Sequence, residues 1–369
     1  MINRLVFANL IHRPIRSLIS VVAIALEVTL ILMIVALSYG MLEDSKARQA
    51  GIGADVIVQP PGSSNLIGLT GAPLPVKIGD VVRKLPHVDT VTPVLWHLNK
   101  ERNLEVIYGI DLATFNDLRA PFHYLAGGPF QAPDDVIVDD YYAGGHHSKV
   151  GDKMQVLNHE FRICGIVAHG RGARRFFPLA TLQDLTGSLG KASVFYLKLD
   201  DPKNADAVVG EIKAVPGMEN YSTISMDEYL SMMKADNLPG FNIFIRTVVA
   251  VAMVIGFLVI FQSMYTAVME RTREIGILKS LGASRFYILR VILREALLLA
   301  VGGILAGILV SFVSRTVIVQ RIPTLRLLPL TGHWVMIATV IAIIGALMGA
   351  IYPAVKAARK DPIEALAYE

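Results

Sequence analysis

The sequence is poor in two things that soluble proteins of its size usually have. Of its 369 residues only 18% are charged and one is a cysteine; a soluble domain carries about a quarter charged residues. The single Cys164 excludes an intrachain disulfide, so any domain here must hold together by its core alone. The charge deficit is local. Thr247–Met269, Ala296–Ser314 and Trp334–Val355 contain no Asp, Glu, Lys or Arg, and Ser17–Leu42 contains only Glu27. About 20 apolar residues make a helical bilayer crossing, which predicts four crossings at 17–42, 247–269, 295–314 and 334–355. The first run is longer than a signal-peptide core and ends Leu37-Ser-Tyr-Gly-Met-Leu42, so it reads as a retained helix rather than a cleaved leader.

A phosphate-binding loop is also missing. The nearest fragment, Gly187-Ser-Leu-Gly-Lys-Ala-Ser193, has the wrong glycine spacing and no hydroxyl residue directly after its lysine. These residues therefore do not hydrolyse ATP through a P-loop. No nucleophile with its base, acid dyad or metal spacing stands out either, which counts against a membrane-bound enzyme. His123, His146, His147, His159 and His169, with Asp139 and Asp140, lack ligand spacing and read as surface or core residues, with no metal. Arg171, Arg174 and Arg175 read as a solvated loop.

The net charge of +4 hides a split. Residues 44–240 hold 19 Lys and Arg against 23 Asp and Glu, so the basic excess belongs to the flanks of the crossings. That distribution excludes a nucleic-acid face, which would cluster bases on a folded domain. Lys and Arg near the crossings also set orientation. Arg4, Arg13 and Arg16, then Arg271, Arg273, Lys279, Arg285, Arg290 and Arg294, then Lys356, Arg359 and Lys360 share one side, against Arg315, Arg321 and Arg326 on the other. Both termini are expected in the cytoplasm, with residues 43–240 outside, 270–294 and the tail 356–369 inside, and 315–333 as an outer loop. Residues 1–16 are expected to form an amphipathic helix on the cytoplasmic surface, with Ile2, Leu5, Val6 and Leu10 on one face and Pro14 as its break.

The outer segment contains a weak repeat. Ala54–Gln59, 78–85 and Val88–Val94 read as strand, helix and strand; Ser193–Leu199, Ala205–Ala214 and Asn220–Ile224 repeat the order. Leu85-Pro-His and Val215-Pro-Gly make the two helix-to-strand passages. The expected fold is a split βαβ domain of α+β class, with a β-rich insertion over about residues 96–192, set between the first two of four transmembrane helices.

Between the second and third crossings runs Glu270-Arg-Thr-Arg-Glu-Ile-Gly-Ile-Leu-Lys-Ser-Leu-Gly-Ala-Ser284. Ile275, Leu278 and Leu281 or Gly282 recur at helical spacing and would form one apolar stripe for a partner's groove, flanked by Arg271, Arg273 and Lys279. Gly282 offers a helix stop. Taken alone, the residues also fit a basic loop that only sets topology. The stretch with its lead-in from Met264, the C-terminal Tyr352-Pro-Ala-Val-Lys-Ala-Ala-Arg-Lys-Asp-Pro-Ile-Glu-Ala-Leu366 and the early Asn9-Leu-Ile-His-Arg-Pro-Ile-Arg-Ser17 resemble the MacB/Lol-type, FtsX-like permeases of the mechanotransmission ABC transporters. The order of one crossing, a large outer domain and three crossings is similar too.

The resemblance implies a non-catalytic permease in the bacterial inner membrane. It implies a dimer with a second copy or a paralogue, and a separate ABC subunit that binds ATP and Mg, since MacB carries its ATPase fused and these residues include none. A periplasmic adaptor and an outer-membrane channel are further partners it allows. The coupling residues would be Glu270, Arg271, Arg273, Glu274, Ile275, Leu278, Lys279, Leu281 and Gly282. Substrate would be a lipid, lipoprotein, peptide or drug. The alternative is an FtsX-like transmitter that regulates an outer enzyme without transport. Glu27 departs from the small residue the family has near this point. It reads as a structural acid bonded to Thr29 or to a neighbouring helix, or as a proton-linked or dimer-interface group.

Overall fold

The computed structural model describes residues 14–63, 73–99, 105–321, 325 and 327–360. The expected surface helix over residues 2–11, the loop beyond Ser63, Arg326 and the tail from Asp361 lie outside the described residues. Two compact units result, one drawn from Met1–Gly40, Gly240–Gln320 and Leu327–Glu369, the other from Met41–Pro239 and Arg321–Arg326.

Helix α1 (Pro14–Ala50) is the first element among the described residues.

The second unit is an α+β domain. Strand β1 (Val56–Gln59), the short β2 (Leu74–Pro75), helix α2 (Ile78–Val82) and β3 (Val88–Asn99) form the first βαβ passage. The insertion follows with β4 (Glu105–Ile110), α3 (Leu112–Asp117), β5 (Tyr124–Gly127), β6 (Asp135–Asp139), α4 (Asp140–His146), β7 (Lys153–Val156), β8 (His159–Val167), β9 (Arg175–Pro178), α5 (Leu179–Leu185) and β10 (Lys191–Ala192). Strand β11 (Val194–Leu199), α6 (Ala205–Ala214), β12 (Ser222–Ser225) and α7 (Met226–Met232) complete the unit.

The sheet order β12-β1-β11-β3, antiparallel throughout, is that of a split βαβ fold. Both helix-to-strand passages use a proline followed by a left-handed residue, His87 (φ 67°) after Pro86 and Gly217 (φ 87°) after Pro216. A type II turn demands that pair of conformations. His87, which lacks glycine's freedom, is held by a 2.8 Å contact from Nδ1 to the Asp200 carboxylate. Strand β1 is buried on both faces. Val56 and Val58 join a core with Phe195, Val208 and Ile212, while Ile57 points to the opposite core with Trp96, Phe115 and Phe176.

The insertion departs from expectation in one respect. Strand β3 does not stop near Val94 but runs to Asn99 and pairs with β4, so the inserted strands extend the same sheet rather than forming a separate one. Parallel pairs β4–β9 and β6–β8 make this half mixed.

The first unit adds α8 (Phe241–Glu270), α9 (Thr272–Ser280), α10 (Arg285–Arg321) and α11 (Gly332–Arg359) to the start of α1. Helices α1, α8, α10 and α11 are long and apolar enough to cross a membrane. Their contacts are made by small residues. On α11, Ala338, Ala342, Ala346, Ala350 and Ala354 form a fully buried row, and a side chain on Gly349 would meet the backbone of Phe257 on α8. A Cβ on Gly303 or Gly307 of α10 would strike Ile24 and Val28 of α1. Without hydrophobic driving force in lipid, close backbone approach is what holds such helices together. Leu26, Val254, Leu258, Leu305, Leu309 and Val340 lie on the outward faces.

Candidate functional site

The segment between the second and third crossings is a short helix with a sequence-encoded start and stop. Arg271 leaves helical geometry (φ −108°, ψ 18°) and separates α8 from α9. At the far end Gly282 takes φ 94°, its N–H donates to Lys279 O, and the Ala283 N–H donates to Leu278 O, each at 3.0 Å. This double closure is a Schellman stop, which needs a residue free to be left-handed. Ser284 then caps α10, accepting from the Tyr287 N–H at 3.2 Å.

The apolar stripe expected on α9 is divided between two faces. Ile275 and Leu278 are half-buried and pack on the core of their own helical unit. Leu281, 79% exposed, points out, together with Ile277 and with Phe286, which is 76% exposed. Ile277 and Leu281 stand four residues apart, one helical turn, so they share a face. Ile277 and Phe286 were missed by the sequence reading; i, i+4 spacing from Leu281 was the signal available for the first.

The flanking charges divide in the same way. Arg273 and Glu274 are exposed. Arg271 is buried instead, its Nη1 lying 3.2 Å from Glu295 Oε2. Lys279 Nζ donates to Ala358 O at 3.1 Å and to Lys360 O, closing the carboxyl end of α11. Cations suit that position because the last carbonyls carry negative dipole charge. Glu270 ends α8 and accepts from Arg16 Nη1 at 3.4 Å. Arg16 also reaches Glu295, from Nη2 at 3.2 Å. Glu295, 3% exposed, was not singled out from sequence. Its place in the row Ile288, Ile292, Glu295, Leu299 marks it as inward. Against α9 lies an apolar cavity of about 320 Å³ lined by Met264, Val268, Ile277, Leu278, Ile292 and Glu295, so that Ile277 borders this cavity as well as solvent.

Glu27 is buried in α1, and its carboxylate stands where a Gly256 side chain would be. Its Oε1 has no hydrogen-bond partner among the described residues. Thr29 does not serve it, since the Thr29 hydroxyl donates to Gly307 O at 3.1 Å. Two residues along a helix point to different sides.

The three arginines read as a solvated loop are buried. Arg171 lies between the Phe115 and Phe122 rings, 4.5 and 4.7 Å from their centroids, and donates to Ile52 O and Phe115 O. Arg174 bridges Asp44 at 3.0 Å and Asp139 at 3.2 Å; Arg175 pairs with Glu105 at 2.9 Å. Asp139 caps α4 through the Tyr142 N–H at 2.6 Å. Burial nonetheless raises its carboxyl to about 6, outweighing Tyr142 and Arg174. His159 contacts Asp134 and His169 contacts Asp140.

Comparison with known proteins accounts for both units. A family model described as MacB-like periplasmic core domain matches residues 17–215, and one described as FtsX-like permease C-terminal matches residues 246–363. The macrolide export ATP-binding/permease protein MacB of Shewanella sp. (strain W3-18-1) is 25% identical over 97% of this chain. The chain spans only 59% of that relative's length. An uncharacterized ABC transporter permease of Methanocaldococcus jannaschii is 26% identical over 59% of this chain and 57% of its own. Among solved structures, the periplasmic region of MacB from Actinobacillus actinomycetemcomitans matches 50% of this chain and 94% of that one, with 15% identity and a TM-score of 0.41. With a core-domain match over more than half its length, a permease match over residues 246–363, and four helices able to cross a membrane, this chain belongs to the MacB/FtsX-like family of ABC transporter permeases.

Proposed function

We propose that this chain is the non-catalytic permease subunit of an ABC transporter in a bacterial inner membrane, and that a separate subunit binds ATP and Mg and hydrolyses the nucleotide. Helix α9 docks on that subunit. The observation that carries the reading is the outward face of α9, where Ile277 and Leu281 are exposed, with Phe286 exposed in the first turn of α10. A short helix with an apolar face suits a groove on a partner. The basic residues before α1, around α9 and after α11 support a cytoplasmic position for this end and for both termini.

In this reading nucleotide-driven closure of the partner displaces α9, and the crossing helices pass the movement to the α+β domain. Two permease chains, identical or paralogous, form the working unit. The cargo is a lipid, lipoprotein, peptide or drug handled at the outer face, with a periplasmic adaptor and outer-membrane channel as further partners. The name of the Shewanella relative joins export, ATP binding and permease in one longer protein, which supports coupling of this permease to ATP binding.

Reconstitution tests this. The purified chain alone should show no ATPase activity above contaminant controls, and adding its cognate ATP-binding subunit should give turnover that depends on both. Hydrolysis by the isolated chain, or turnover indifferent to it, contradicts the assignment.

A further inference from the structure

Glu295 is a buried carboxylate on a helix face that is otherwise apolar. Its neighbours in that row are Ile288, Ile292 and Leu299, all buried. A leucine at 295 would complete the row, and replacing buried ion pairs by apolar residues is often neutral or stabilising. The carboxylate is therefore a poor choice for holding the bundle together and a good one for fixing direction, because charge-assisted hydrogen bonds to guanidinium groups are short-ranged and oriented.

Its two partners come from different elements. Arg16, in the first turn of α1, places Nη2 3.2 Å from Oε1. Arg271 places Nη1 3.2 Å from Oε2. Arg271 is also the residue whose backbone leaves the helical region between α8 and α9. The side chain Glu295 holds thus belongs to the hinge that sets the direction of α9. Arg16 closes the set by reaching Glu270, the last residue of α8. Among the described residues, Arg16 and Arg271 balance Glu270 and Glu295. At its other end α9 is tied to the last carbonyls of α11 by Lys279. The helix is thereby bracketed, at its start to α10 and α1 and at its end to α11.

We propose that Glu295 is a positioning residue for α9: by clamping Arg271 at the hinge and Arg16 on α1, it makes displacement of α9 a displacement of the crossing helices. The proposal rests on the reading of α9 as the docking helix. Without the clamp, α9 would still present Ile277 and Leu281, but it would swing on Arg271 without carrying α1 and α10.

The experiment uses the full chain with its ATP-binding subunit in lipid nanodiscs, as wild type, Glu295→Gln, Arg271→Gln and the double variant, with Glu295→Asp as a milder change that keeps the charge. Hydrogen exchange of the 272–280 amides, capture of the ATP-binding subunit and stimulated ATPase turnover are read together. Glu295→Gln should speed α9 exchange at least tenfold and cut stimulated turnover at least fivefold, with capture within twofold of wild type. The double variant should be no worse than the worse single, since both changes break one contact. Glu295→Asp should fall between wild type and Gln, and it carries the test if Gln disturbs the other helices. Exchange of α9 within twofold of wild type in both Glu295 variants, or losses in the double variant that multiply, would overturn the proposal. Failure of the docking reading shows elsewhere: a Leu281→Asp chain that captures the subunit like wild type contradicts docking, whatever the Glu295 variants do to exchange.

Discussion

Glu27 of α1 and Gly256 of α8 share one space. The glycine has no side chain, and the carboxylate fills the position a Cβ would take. Gly256→Ala is therefore expected to push the flexible Glu27 carboxylate aside rather than part the helices, at a cost of about 1 kcal/mol for the displaced side chain. SDS-driven unfolding measures it. Glu27→Gln, nearly the same size, should unfold close to wild type. Glu27→Ala should relieve the clash when combined with Gly256→Ala. A Gly256→Ala chain as stable as wild type would mean that the two residues do not meet.

The pH dependence of the α+β domain should carry the mark of Asp139. Its carboxyl stands at about 6 against 3.8 for the free group, raised by burial despite Tyr142 and Arg174, with Asp140 adding to the rise and Arg48 opposing it. The folded state holds the proton more tightly than the unfolded one. The contribution to stability is thus complete below about pH 4 and is lost as pH rises through about 6. The size is at most about 3 kcal/mol at roughly 1.4 kcal/mol per pKa unit. Subtracting the Asp139→Asn denaturation profile from that of wild type between pH 4 and 7 isolates it. Parallel profiles would contradict it.

Much of this was legible because local chemistry encodes it. The four crossings follow from charge-free runs, and the repeated strand–helix–strand order follows from alternation and from two Pro-turn passages at Pro86 and Pro216. The Gly282 stop needed only one residue. What was hidden depends on distant partners. Arg171, Arg174 and Arg175 sit in a Gly-rich polar stretch that reads as solvated, but the carbonyl and carboxylate groups that hold them lie 35 to 130 residues earlier. The direction of α9 was hidden for a related reason. Its spacing gives a helix, but Ile275, Leu278 and Leu281 turn inward or outward according to where α8 and α10 lie.

That division predicts which aspartates act on fold. Ile275→Asp or Leu278→Asp presses a charge into the bundle's own core, where an unpaired charge costs several kcal/mol. Both should lose protease resistance in the helical unit before any partner is added. Variants that resist protease like wild type would place these side chains on the outside.

Orientation can be read with a thiol label that does not cross membranes. The native Cys164 is half-buried and its thiol is pushed up to about 12, mainly by burial, so it should label slowly. In a Cys164→Ser background, Lys203→Cys should label in cells whose outer surface is accessible, and Ser280→Cys only after the inner membrane is opened. Labelling of position 280 in intact cells would reverse the assignment from charge.

The central claim, that the outward face of α9 binds the ATP-binding subunit, is tested most directly by affinity. Leu281→Asp and Ile277→Asp change exposed residues and should leave the chain folded and inserted. In a docked groove the same carboxylate would be buried without a partner, and a penalty of about 3 kcal/mol is a hundredfold in Kd at roughly 1.4 kcal/mol per factor of ten. Titration of the ATP-binding subunit against detergent-solubilised wild type and each variant gives the Kd. The account predicts at least hundredfold weaker binding for Leu281→Asp, with protease resistance unchanged. A wild-type Kd for both variants would reduce residues 270–284 to a loop that sets topology and contradict the coupling assignment.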